Sequence, residues 1–168
     1  MAQIRGVTVM PWILSNDEGG DSEIASGGLV LRAIAGGTLL VGDAVILTAN
    51  GTVNKDTVTG NHLKACGIVL GGRNFGRNMI QRKLDVGAQA ALVNQEVYVC
   101  ITGLCYGVAQ AAIAQGAYVR PDTTTAGRLL TGTVTTDVAA GDTGKMIGKA
   151  WEAAAGAASV FLVLVSLQ

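Results

Sequence analysis

Charge is what this 168-residue chain has least of. Asp, Glu, Lys and Arg make up 14% of it, against the ~25% usual in soluble domains. Twelve cations and twelve acids cancel to a net charge of zero, and only seven residues are aromatic. A nucleic-acid binder relies on a basic field or on stacking platforms, so no nucleic-acid partner is expected. There is one histidine, His62. Alone it can build neither a zinc site nor a Ser-His-Asp triad. No long apolar run exists: the longest, Val160–Val165, falls far short of the ~18 residues of a bilayer span. The opening MAQIRGVTVMPW lacks the basic and apolar regions of a secretion signal. Neither a membrane nor a secretory route is expected.

What the chain has instead is glycine, alanine, valine and threonine, which together fill about half of it. Glycine alone occurs 24 times, roughly twice its usual share of ~7%. With 49% hydrophobic residues, the chain is too apolar for disorder. Its glycines follow no three-residue period, which excludes collagen. A weakly charged, neutral surface keeps a lone domain in solution poorly, so much of it is expected to be covered in an assembly. Cys66, Cys100 and Cys105 are odd in number and form no C-x-x-C. They are expected to be free, buried thiols in a reducing compartment.

Residues 1–28 have the character of an arm. An apolar start containing Pro11 and Trp12 leads into the acidic run Ser15–Ser26, with Asp17, Glu18, Asp21 and Glu23. That run lacks the spacing of a calcium loop. Residues 29–168 read as a β domain of short segments between Gly, Asn and Asp turns. These segments are Leu29–Ala33, Ala44–Thr48, Lys64–Leu70, Val97–Thr102, Ala117–Arg120, Gly127–Thr136, Lys145–Glu152 and Ser159–Leu167. Asn50-Gly51 between Val45–Leu47 and Val53 signals a hairpin. Ala109–Ala114 could form a helical turn or two.

A degenerate repeat runs through this domain, over about 37–103 and 111–168. Leu39–Val45 resembles Ile113–Val119, Lys64–Val69 resembles Lys145–Ala150, and Glu96–Ile101 closes the first copy as Val160–Val165 closes the second. Each unit is small for a core of its own, so the two halves are expected to share one barrel or sandwich. Gly71–Lys83 reads as a loop inserted in the first copy. It holds Arg73, Arg77, Arg82 and Lys83 and no acid, and could meet the acidic arm of a neighbour or an acidic patch on a partner. Its Gly71–Gly76 stretch lacks the context of a phosphate loop. Asp43, Asp56, Glu96 and Glu152 are available as carboxylates, but nothing in the spacing selects a pair for acid–base work. The chain is therefore read as non-enzymatic, without catalytic residues, cofactor or metal. Trp151 is expected in the core or at a subunit contact.

Gly42-Asp43-Ala44-Val45, Cys66-Gly67-Ile68-Val69-Leu70 and Glu96-Val97-Tyr98-Val99 resemble segments of small bacteriophage capsid decoration (cement) proteins. So do Ala112–Val119, Gly148–Ala154 and Val160–Leu164. The resemblance covers roughly Gly36 to Gln168. It implies an all-β fold, a compact β-barrel or β-tulip with an extended N-terminal arm. It also implies a homo-oligomer, commonly a trimer, made in the host cytoplasm and seated on the exterior of the assembled head. There such proteins clamp neighbouring major capsid protein subunits. The basic Gly71–Lys83 segment and the Trp12 arm depart from the family pattern. The contact residues expected here are Ile4, Pro11, Trp12 and Ile13 of the arm, with Arg73, Phe75 and Arg77 of the basic loop. The rival reading is a carbohydrate- or receptor-binding module of a virion fibre, which calls for exposed loop aromatics such as Phe75 and Tyr106.

Overall fold

The computed structural model describes residues 7–9, 24–48, 51–55, 64–75, 80–133 and 146–166. The first nine strands are β1 (Val7–Val9), β2 (Ile24–Ala35), β3 (Leu39–Leu40), β4 (Ala44–Leu47), β5 (Thr52–Lys55), β6 (Ala65–Gly72), β7 (Ile80–Arg82), β8 (Gln89–Ala91) and β9 (Glu96–Val108). Four more follow: β10 (Tyr118–Pro121), β11 (Leu129–Thr131), β12 (Gly148–Ala150) and β13 (Val160–Ser166). With 57% strand and 4% helix, the protein is all-β. All eight segments expected to be strands contain one.

Five strands close into a barrel in the order β2-β5-β4-β6-β9, with β9 returning to β2. The expected hairpin is there: Leu47 pairs with Val53 and Ile46 with Asn54. Gly51 takes φ +73, a conformation that favours glycine. The barrel is complete within residues 24–103, so the two halves do not share one barrel. β9 is the joint instead. Its first part pairs with β2 and β6, and its second part, Thr102–Val108, pairs with β13. From β13 the sheet continues through β12 and β10 to β11.

The second set of strands repeats the first pairing by pairing. Val45 faces Gly67 as Val119 faces Gly148, and Ala44 faces Ile68 as Tyr118 faces Lys149. Cys100 lies opposite Ile68 as Leu164 lies opposite Lys149. The parallel pair Ala35 with Val53 has its counterpart in the bridge between Ala109 and Leu129. A Cβ at Gly67 would collide with the carbonyl oxygen of Cys100, and one at Gly148 with that of Leu164. In both halves a glycine is required because a neighbouring backbone passes too close for any side chain.

The core has two main parts. Leu39, Val45, Val53, Val69, Val97 and Val99 fill the barrel. Ile68, Leu70 and Cys100 face the other way and pack with Ile113, Leu129, Ile147 and Phe161 of the second half. β6 is thus buried on both faces, which is why its sequence runs apolar without alternation.

Three local expectations change. Ala109–Ala114 is not helical, because Ala109 and Ile113 form bridges to Leu129 and Ala154. The Gly71–Lys83 segment is only in part a loop: Gly71 and Gly72 end β6, and Ile80–Arg82 pairs with Ile24–Ser26 as β7. Of residues 1–28, Val7–Val9 adds an edge strand to Leu29–Leu31 and Ile24 onward belongs to β2.

Candidate interaction surface

Of the contact residues expected from sequence, Ile4, Pro11, Trp12, Ile13 and Arg77 lie outside the described residues, as does His62. Arg73 and Phe75 sit on the turn that follows β6. Its backbone is tied down by Arg73 N–H to Glu96 O (3.0 Å) and Asn74 N–H to Ala90 O (3.0 Å). Arg73 is exposed, whereas Phe75 is half-buried and packs against the barrel core. Phe75 therefore spends part of its apolar surface at home. Tyr106, the other aromatic of the fibre reading, is only 3% exposed.

Asp56 lies outside the described residues, and the other candidate carboxylates are used up locally and separately. Asp43 Oδ2 accepts the Leu40 N–H at 2.7 Å and lies 3.3 Å from Lys55 Nζ. Burial raises the pKa of this carboxyl above its ordinary value; the Leu40 hydrogen bond and the Lys55 charge pull against that without reversing it. Glu96 is held by Arg32 and the Tyr98 hydroxyl, and Glu152 Oε2 accepts the Leu162 N–H at 3.2 Å. Asp122, 1% exposed, caps its own turn by accepting from Thr124 and Thr125.

Two of the three cysteines are not free. Cys100 and Cys105 form a disulfide with their Cα atoms 7.0 Å apart. In a straight strand five residues would span ~16 Å. β9 bends at Gly103 (φ +125) as it changes partners, and the bend brings the two sulfurs together. Cys66 alone remains a thiol, and burial pushes its pKa up to about 11. It is no nucleophile at neutral pH.

What sequence reading missed is the group of exposed apolar residues at one end of the barrel. Among the described residues, six large hydrophobics are well exposed, and three of them, Ile34, Leu92 and Val93, lie where β2 ends and β9 begins. Ile34 is near the end of β2. Leu92 and Val93 ride the turn into β9, which is bound to Ala35 through Ala35 N–H to Gln95 O and Asn94 N–H to Ala35 O (both 2.8 Å). Leu47 ends β4, which runs antiparallel to β2, and is not part of this group. The hydrogen bonds between the turn before β9 and the end of β2 bring Ile34, Leu92 and Val93 near one another, which no spacing in the sequence could tell. Trp151, expected in the core or at a subunit contact, is 55% exposed instead of core. It borders a hollow of about 250 Å³ with Gln115, Lys149 and Leu164. Lys149 reaches over the Tyr118 ring, 4.6 Å from its centre.

Compared with known proteins, the chain matches no family model and no curated protein.

Proposed function

We propose that this chain is a non-enzymatic bacteriophage capsid decoration (cement) protein. On this reading it binds the outer surface of the assembled head as a homo-oligomer, commonly a trimer, and bridges neighbouring major capsid protein subunits. The observation that carries the reading is the apolar end of the barrel: Ile34, Leu92 and Val93 are 41%, 41% and 55% exposed on a rigid, hydrogen-bonded rim. Exposed apolar groups gathered in one place mark interaction sites. The scarcity of charge and the resemblance of Gly36–Gln168 to decoration proteins support the same reading. A ligand that binds only the assembled shell stabilises it by mass action, with no chemistry needed.

The test is co-sedimentation of the purified chain with empty heads that lack it. The wild-type chain is expected to pellet with the heads. Ile34→Glu and Val93→Glu should each weaken retention by about tenfold or more, as loss of an interface anchor does. Leu84→Glu, at an exposed apolar residue away from the rim, should leave retention unchanged. A folded chain that stays in the supernatant with every head preparation would overturn the proposal. The rival, a carbohydrate-binding module of a fibre, is favoured by exposed Trp151 beside its hollow, since an open indole face suits a sugar ring. Glycan-array binding that is lost in Trp151→Ala, with no affinity for heads, would select it.

A further inference from the structure

A cleft of about 360 Å³ opens between the two halves. Leu40, Val41 and Val86 wall it from the barrel side, and Val108, Ala158 and Val160 from the other. Its size is at the lower end of small-molecule sites, which concentrate where two packed units meet. The polar side chains along it are Asp43, Lys55, Thr125 and Arg128. Asp43 is already committed, to the Leu40 N–H and to Lys55. Arg128 is not. Its Nη1 is shielded from water and has no hydrogen-bond partner. A buried donor left unpaired is costly, and a structure that keeps one calls for an explanation such as a ligand. Two cations against one acid leave the lining with one positive charge in excess. The rest of the wall is branched aliphatic and contains no ring.

We propose that this cleft binds a small aliphatic monocarboxylate. Its carboxylate pairs with the Arg128 guanidinium, and its alkyl body lies along Leu40, Val86 and Val160. One negative charge matches the excess cation, and an alkyl chain matches the wall better than a flat ring does. The site is separate from the apolar rim of the barrel and does not depend on the capsid reading.

Titration calorimetry of the full chain at pH 7 with sodium octanoate tests this, with 1-octanol and octylammonium as neutral and cationic comparators. Octanoate is expected to bind saturably, one per chain. Octanol should bind at least ~10-fold more weakly, because it cannot use the charge-assisted bond, and octylammonium should not bind. Arg128→Gln should weaken octanoate by ~10-fold or more while leaving the octanol affinity near its wild-type value. Ala126→Leu, which projects bulk into the cleft from a half-buried lining residue, should abolish both. Circular dichroism establishes that each variant is folded. The proposal is overturned by the absence of saturable octanoate binding at millimolar concentration, or by equal affinity for octanoate and octanol. Unchanged octanoate binding in folded Arg128→Gln also overturns it. Should Arg128→Gln not fold, Ala126→Leu decides, and undiminished binding there overturns the proposal.

Discussion

The barrel and the second set of strands follow one pairing plan but close it with different strength. In the barrel, β2 and β5 pair over two residues, Ile34 with Thr52 and Ala35 with Val53. In the second half the same place holds a single bridge, Ala109 with Leu129. The outer edges differ in the same sense. β2 is flanked by a real strand, Val7–Val9. The corresponding edge of β9 is capped by one side chain: Gln81 donates to Tyr106 O at 2.7 Å and accepts the Tyr106 N–H at 2.5 Å. A primary amide presents an N–H donor and a C=O acceptor side by side, so it can stand in for one residue of a missing strand. The same topology is thus held by backbone in one half and in part by a side chain in the other.

The plan itself can be broken at the two glycines where strands cross most closely. Gly67→Ala and Gly148→Ala each push a methyl group into a backbone carbonyl, and backbone yields less readily than a side chain. Each is expected to cost above about 3 kcal/mol, the upper range for overpacking. Urea unfolding checks this. Because β9 runs through both halves, each variant is expected to unfold in one transition. Two separated transitions would mean that the halves are energetically independent.

Next in size is the capping amide. Gln81→Leu keeps the buried volume but leaves the Tyr106 N–H and C=O without their partner. The expected cost is about 2–3 kcal/mol, that of stranding buried polar groups. Amide hydrogen exchange at Tyr106 should accelerate together with the loss in stability. If Tyr106 stays protected in the variant, the amide is not what seals this edge.

Much of this plan is visible in the sequence, and the exceptions have physical causes. Segments such as Ala44–Leu47 and Val160–Ser166 declare themselves because they are β-branched or aliphatic and bounded by turn residues. Leu39–Leu40, Ile80–Arg82 and Gln89–Ala91 do not. They are two or three residues long, and neighbours rather than propensity make them strands. β9 reads as ending at Thr102 because glycines at 103 and 107 look like turns. They instead let the strand bend and pass close to Leu129. Gln81 stands in a run of cations and reads as loop, yet it is fully buried. The site was less legible than the fold. Phe75 packs inward, while the apolar rim is assembled by the end of β2 and the turn before β9, residues far apart in sequence. Ring closure creates that surface, and a linear pattern does not record it.

The smallest effect offers the cleanest comparison of the halves. Among the described residues, the only non-glycine residues with positive φ are Asn94 (φ +64) and Ala158 (φ +62). Each stands two residues before its closing strand. Each donates its N–H to the strand that opens its half, Asn94 to Ala35 O and Ala158 to Ala109 O, both at 2.8 Å. The turn geometry is shared, but the residue suits it in only one case. Asn tolerates the left-handed region, whereas a Cβ without a compensating polar group makes Ala costly there. Ala158→Gly is therefore expected to stabilise the protein by about 0.5–1 kcal/mol, even though glycine usually loses on entropy. Asn94→Ala should destabilise it by a similar amount. Thermal melts of the two single variants and the double variant measure both terms. The sites lie in separate turns, so the effects should add to near zero in the double variant. A clear departure from additivity would show that the two turns communicate through β9, and that the halves are coupled beyond the strand they share.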